Sequence, residues 1–229
     1  MNHILSLETV DRDGALREAA NDVSGDTRLS FLQKAGLGAG AMMGGGAVLA
    51  ALAPSALAAG SGRPPASFGA GDVGILNYAL TLEYLESSFY NQAYTHLYSG
   101  ASPAVKAFLT TTKTDEADHV AALKGSLGSK AVKEPKFDFG KAVTDLSTFE
   151  ATAYVLENTG VAAYSGQAFN IKAPKVLAVA LAIVTVEARH AGAIGSITGM
   201  PIAKNGPFDI AETASQILAA VTATKFIVG

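Results

Sequence analysis

The sequence predicts an all-α fold, a four-helix bundle followed by a short C-terminal helix. Three observations favour this fold: apolar residues recur every three to four positions, helix-ending residues separate the apolar stretches, and one connection is much longer than the others. Of the 229 residues, 49% are hydrophobic and 16% are charged, which is enough apolar sequence for a sizeable core.

Each predicted helix is bounded by residues that favour helix ends. Asp72 is predicted to cap the first helix, and Pro103 and Pro174 stand at the first position of the second and fourth. The predicted helices cover 72–98, 103–128, 145–170 and 174–199, with a shorter fifth helix within 211–223.

The connection between the second and third helices, 129–144, is long enough to return along the bundle. A helix of about 25 residues is about 38 Å long, and the residues of this connection can cover that length at about 3.3 Å each. The second and third helices should therefore be parallel, whereas the short links on either side make antiparallel hairpins. Two hairpins joined by one crossover are typical of the ferritin-like four-helix bundle.

Both predicted hairpins carry the same polar residues in the same order. Each has a Glu, a Tyr seven residues later, and a Glu-x-x-His motif on its second helix. The residues are Glu83, Tyr90, Glu116 and His119 in the first hairpin, and Glu157, Tyr164, Glu187 and His190 in the second. This order suggests a duplicated unit.

These acids and histidines lie within apolar stripes of their helices, so they should meet at the centre of the bundle. Four ionised carboxylates buried there would be costly, but two divalent cations would balance their charge. The chain has no cysteine, and oxygen and imidazole ligands suit Fe or Mn. A Glu from each of two helices and a Glu-x-x-His from each of the others make a di-iron or di-manganese carboxylate site. The predicted ligands of two Fe or Mn ions are Glu83, Glu116, His119, Glu157, Glu187 and His190.

For some residues near this predicted site, the sequence allows a second interpretation. Glu86, one turn after Glu83, could face inward instead, and Glu83 is preferred because its distance to Tyr90 matches that of the second hairpin. Glu150 could be an extra ligand or a partner of a ligand. Tyr90 and Tyr164 are assigned to the catalytic set as hydrogen-bond donors to metal-bound carboxylates, with ordinary core tyrosines as the alternative.

The N-terminal region resembles an export signal rather than part of the fold. A basic segment with Arg28 and Lys34 precedes a Gly/Ala-rich apolar run and a small-residue motif at 56–58. The predicted organisation is a signal peptide within 1–58, a flexible linker at 59–71 and the helical domain at 72–229. Leu29 stands where a twin-arginine signal has its second arginine, so the Tat and Sec routes both stay open, as does an uncleaved anchor.

The expected location is therefore outside the cytoplasm, in the periplasm, the cell envelope or the medium. A net charge of −3 and a pI near 5.8 give no case for nucleic acid or an anionic membrane as a partner, and no membrane contact is expected after cleavage. The sequence is compatible with a homo-oligomer.

Several stretches resemble the exported ferritin-like domain family, which includes bacterial proteins with Tat-like leaders and plant desiccation-related proteins. They cover most of 74–199 and read ILNYALTLEYLESSFYNQA, DEADHVAALKGSLG, FDFG, FEATAYVLENTGVAAYSG and AIVTVEARHAGAI. The resemblance implies a ferritin-like bundle with a di-metal centre, but no defined reaction.

Two functions follow as expectations. The first is a redox protein that handles O2 or peroxide, with catalase-, peroxidase- or ferroxidase-like activity if it is an enzyme. The second is a metal-binding or structural protein of stress or desiccation protection, without catalytic turnover.

Overall fold

A computed structural model of the chain describes residues 62–228, so the predicted signal peptide at 1–58 lies outside the described residues. The described part contains five α-helices and no β-strand beyond an isolated bridge between Phe137 and Ile227. The helices are α1 (Gly71–Leu97), α2 (Pro103–Leu127), α3 (Leu146–Gln167), α4 (Pro174–Thr198) and α5 (Ala214–Thr224). The predicted all-α bundle with a short C-terminal helix is thus confirmed.

The four long helices form two hairpins, as predicted. α1 packs mainly against α2, and α3 packs mainly against α4. The hairpins meet along two seams, one between α1 and α3 and the other between α2 and α4. These two seams decide which side chains can reach one another at the centre.

Helix ends in the structure follow the local sequence at most positions. The Ser102 hydroxyl accepts a hydrogen bond from the Val105 amide at 3.3 Å, and the Asp145 carboxylate accepts one from the Thr148 amide at 2.9 Å. Gly199 ends α4 with a φ of 73°, a left-handed conformation that suits glycine. The boundaries of α2, α3 and α4 therefore arise from their own residues.

The predicted capping role of Asp72 is wrong. Ala70 is the N-cap of α1 and makes no side-chain cap. The Asp72 carboxylate instead accepts hydrogen bonds from the backbone amides of Lys172 and Ala173, the latter at 2.7 Å. Asp72 thereby ties the start of α1 to the start of α4, joining the two hairpins.

The crossover at 129–144 returns along α1. The Asn77 side chain donates to the Lys130 carbonyl at 3.0 Å and accepts from the Val132 amide at 3.0 Å. Further along, the ring of Phe139 packs against Phe89 of α1 with centroids 5.4 Å apart. These contacts fix the crossover and make α2 and α3 parallel.

The described part of the predicted linker, 62–71, contacts the bundle. The Gly62 carbonyl accepts from the Gln167 side chain at 2.6 Å and from the Ala214 amide at 3.1 Å. The Arg63 guanidinium donates to the Asn170 carbonyl at 2.6 Å. This segment therefore connects α3 with the start of α5.

Within residues 62–228, one helix, α4, has the length and the apolar composition of a membrane-spanning helix. Those two properties are shared by bundle helices that have one buried apolar side. In this structure α4 packs on α3 and α2 and directs Glu187 and His190 into the protein, where they are 0% and 4% exposed.

Candidate metal centre

The six residues predicted as ligands lie together at the centre of the bundle. All four glutamates are 0% exposed, His119 is 8% exposed and His190 is 4% exposed. Apolar layers flank them along every helix, because Leu80, Leu123 and Ile183 pack on one side and Leu109 and Ile194 on the other. The polar residues are thus enclosed by the two halves of the core.

His119 faces three of the carboxylates. Its Nδ1 lies 2.8 Å from Glu116 Oε2, 3.1 Å from Glu187 Oε1 and 3.3 Å from Glu83 Oε2. These acids come from α1, α2 and α4, so three helices converge on one imidazole nitrogen.

His190 faces the other side of the same cluster. Its Nδ1 lies 3.1 Å from Glu116 Oε1 and 3.4 Å from Glu157 Oε2. Its Nε2 lies 3.0 Å from Asp115 Oδ2. A hydrogen bond from Nε2 to this carboxylate would leave Nδ1 as the ligand atom and fix the orientation of the ring, as carboxylates do for metal-binding histidines.

The ligand atoms form two overlapping groups that could each hold a metal ion. One group is Glu83, Glu116, His119 and Glu187, the other is Glu116, Glu157, Glu187 and His190, and within each group the ligand atoms lie within 4.8 Å of one another. Glu116 and Glu187 belong to both groups. A carboxylate has two oxygens, so each of these two residues can face both groups at once.

The buried ligand atoms are short of hydrogen-bond partners. Among the described residues, partners are missing for Glu83 Oε2, Glu116 Oε1, Glu157 Oε2, both Glu187 carboxylate oxygens and His190 Nδ1. His190 Nδ1 lies 3.1 Å from Glu116 Oε1 and 3.4 Å from Glu157 Oε2, and His119 Nδ1 lies 3.1–3.3 Å from Glu187 Oε1 and Glu83 Oε2, in each case without the geometry of a hydrogen bond. Unsatisfied buried acceptors are costly, and atoms that converge without bonding one another suit a cation placed between them. The donor set therefore fits Fe or Mn.

The two tyrosines of the repeated motif contact this cluster. The Tyr90 hydroxyl donates a hydrogen bond to Glu157, and the Tyr164 hydroxyl donates one to Glu83. Each tyrosine thus reaches the glutamate of the opposite hairpin rather than its own. Both hydrogen bonds hold a carboxylate oxygen in place and leave the other oxygen of that residue facing the cluster.

Burial and the charges of neighbouring acids raise the pKa values of Glu83, Glu157 and Glu187 in the metal-free protein. Burial raises the pKa of Glu83 to about 7, despite the nearby His119 imidazole, which lowers it. Burial and then the charge of Glu83 raise the pKa of Glu187 well above its usual value. For His190, burial alone would lower the pKa, but the Glu116 and Glu157 carboxylates at Nδ1 raise it to about 11.

Metal binding should therefore displace protons, and its affinity should rise with pH. A metal ligand must be deprotonated, so displacing the His190 proton makes affinity fall by at least about tenfold per pH unit as pH decreases. Below the pKa of Glu83, about 7, that carboxyl also takes up a proton and the fall becomes steeper. Calorimetric titration with Mn²⁺ at several pH values, in buffers of different ionisation enthalpy, measures the affinity and the protons released.

Glu83→Gln is the matched variant for this titration, because it keeps the shape of the side chain and removes its proton equilibrium. It should bind more weakly and lack the steeper fall below pH 7. An affinity independent of pH in the wild-type protein would contradict the assignment of these residues as ligands.

The structure answers the alternatives left by the sequence in different ways. Glu86 is buried together with Glu83, so both face the interior. Glu150 is half-buried and lies in neither candidate metal group. The spacing of the apolar residues does not reveal Asp115 as a site residue, although it directly precedes Glu116. It lies beside that residue on α2 and points towards α4, where it meets His190.

Comparison with known proteins agrees with this geometry. The sequence model of the family described as ferritin-like domain matches residues 71–200. The chain belongs to the ferritin-like domain family. The matched part of the ferritin-like domain spans α1 to α4 and contains all six predicted ligands. No curated protein is significantly similar to the chain.

Proposed function

We propose that the ferritin-like domain binds two Fe or Mn ions and uses them in a redox reaction with O2 or peroxide. The observation that carries this proposal is the pair of overlapping ligand groups whose buried oxygens and nitrogen lack hydrogen-bond partners within residues 62–228. Four carboxylates would carry a charge of about −4, and two divalent ions would balance it. The shared residues Glu116 and Glu187 favour two ions side by side.

A pair of adjacent Fe or Mn ions can exchange two electrons, which suits O2 or peroxide as the small-molecule oxidant. The side chains of the domain would hold that pair in place. Asp115 orients His190, while Tyr90 and Tyr164 each hold one oxygen of a ligand carboxylate. The apolar layers around the cluster exclude bulk water, which strengthens every charge interaction inside it.

The test combines metal analysis with turnover. Protein made in metal-replete medium should contain about two Fe or Mn per chain, and it should consume hydrogen peroxide, with O2 release reported by an oxygen electrode. Exposed Glu134 offers a control, because Glu134→Gln removes one carboxylate outside both ligand groups and should change neither result. Bound metal without turnover of O2 or peroxide would reject the redox role and leave a metal-binding protective protein. Protein that binds neither metal would reject the proposal altogether.

Export is part of the same proposal. It is supported by the basic segment, the apolar run and the small-residue motif at 56–58, together with the resemblance to exported proteins. The protein would then act in the periplasm, the cell envelope or the medium. N-terminal sequencing of protein recovered from outside the cytoplasm checks this, since cleavage near Ala58 is expected.

A further inference from the structure

Glu86 is a buried carboxylate that the six proposed ligands do not include. It lies one turn beyond Glu83 on α1 and is 3% exposed. Burial and then the charges of Glu187 and Glu157 raise its pKa well above the usual value. Ionising a carboxyl on such a buried residue is costly unless a positive charge lies beside it, so its position suits a cation.

The Glu86 side chain lines a pocket at the seam between α1 and α3. The pocket is small and open to solvent on one side, and α5 contributes Val221 to its wall. The rest of its lining is largely apolar, including Leu82 and Leu85 from α1 and Leu156 from α3. Glu86 is the ionisable residue among those that line the pocket.

This seam lies opposite the histidines. His119 is on α2 and His190 is on α4, and these two helices form the other seam of the bundle, where Asp115 contacts His190. The side chains on α2 and α4 therefore occupy one side of the metal centre. The pocket with Glu86 adjoins the other side, where α1 and α3 meet.

Gly160 brings this pocket next to a shared ligand. A Cβ atom at Gly160 would lie 3.1 Å from Glu187 Oε2, so the absent side chain lets the carboxylate reach the pocket wall. Gly160 and the half-buried Thr159 both line the pocket. A cation in the pocket would thus have Glu86 on one side and Glu187 beyond Gly160.

We propose that this pocket is the path by which a divalent cation reaches the metal centre, with Glu86 as a transient ligand that passes the ion to Glu187. This inference rests on the proposed function, because it presumes that the six ligands bind metal. A cation that enters an apolar pocket gives up part of its hydration, and a carboxylate in the wall offsets that loss. Glu86 acts on the rate of uptake, while the six ligands set the final occupancy.

The experiment follows Co²⁺ uptake by the metal-free protein, using the visible absorption of bound Co²⁺ in a stopped-flow instrument. Glu86→Gln keeps the size of the side chain and removes the carboxyl group, which can ionise when a cation approaches. It should slow uptake by about tenfold, which corresponds to about 1.4 kcal/mol in the barrier, and leave the final number of bound ions unchanged. Glu134→Gln, the same substitution at an exposed position, should take up Co²⁺ at the wild-type rate.

A second variant should have the opposite effect on the rate of uptake. Val221→Ala widens the wall contributed by α5 and should accelerate uptake. Ile217→Ala is the matched control, because Ile217 is a buried residue of the same helix that does not line the pocket. It should lower stability at least as much as Val221→Ala and leave the uptake rate unchanged.

The outcomes separate this inference from the proposed function. Wild-type protein that binds no Co²⁺, Fe²⁺ or Mn²⁺ would overturn the proposed function. Wild-type protein that binds metal, with Glu86→Gln loading at the same rate, would overturn only the role of Glu86. If Glu86→Gln bound fewer ions at the end of loading, Glu86 would be a permanent ligand rather than a transient one, which would contradict the proposal. If Asp115→Asn took up Co²⁺ more slowly than the wild-type protein while Glu86→Gln did not, the path would lie at the seam between α2 and α4. That result would also overturn the proposal.

Discussion

Binding of Fe²⁺ or Mn²⁺ should raise the midpoint of thermal unfolding of the metal-free protein by about 10–20 °C. Four glutamates that are 0% exposed leave five carboxylate oxygens without hydrogen-bond partners in the described part of the chain, and cations remove that cost. Two ions, each present at about 100 times its dissociation constant, stabilise the folded state by about 5 kcal/mol. For a domain of this size, each kcal/mol shifts the midpoint by about 2–4 °C.

Differential scanning calorimetry of the protein with chelator and with added metal measures this shift. Because the stabilisation depends on free metal, the midpoint should rise further as metal concentration increases. Glu134→Gln should show the same shift as the wild-type protein. Equal midpoints with chelator and with saturating metal would show that the buried acids are satisfied without ions, and the proposed metal centre would be wrong.

Glu187→Gln should remove both ions, whereas Glu157→Gln should remove one. Glu187 belongs to both ligand groups, and Glu157 belongs to the group that contains His190. Glutamine resembles a protonated carboxyl in shape and cannot neutralise a cation. Elemental analysis should therefore give about zero ions per chain for Glu187→Gln and about one for Glu157→Gln, against about two for the wild-type protein.

The same Glu187→Gln variant should differ little from the wild type when metal is absent. Burial raises the pKa of Glu187 well above its usual value, which favours the neutral carboxyl in the metal-free protein, and the glutamine of this variant resembles that neutral group. Its unfolding midpoint should stay within a few degrees of the wild-type value in chelator, and added metal should not raise it. If Glu187→Gln and Glu157→Gln lost the same number of ions, the sharing of Glu187 between two sites would be disproved.

The sequence predicts the bundle and the six central residues because both depend on local spacing. Apolar periodicity reveals which face of each helix is buried, and Glu116 and His119 are three residues apart on one such face. Glu86 shows the limit of this reasoning. Its carboxylate is buried beside a pocket to which α5 contributes Val221, and the position of α5 is a tertiary feature that periodicity does not encode.

Asp115 and Asp72 escape prediction for a related reason. Each contacts a helix that is distant in the sequence: Asp115 meets His190 on α4, and Asp72 binds the backbone amides at the start of α4. Such contacts depend on how the hairpins are rotated against one another. The same rotation decides that Tyr90 bonds to Glu157, which no repeat within one hairpin could indicate.

The exchanged tyrosines imply a reciprocal architecture of the kind found in isologous dimers. Two of the exchanges between the hairpins are reciprocal: Tyr90 bonds to Glu157 and Tyr164 to Glu83, and Glu116 and Glu187 each complete the other's group. Two-fold symmetric homodimers obey this rule, with residue i of one subunit contacting j of the other and j contacting i. The chain thus resembles a dimer whose subunits have been fused, and neither hairpin alone contains a complete centre.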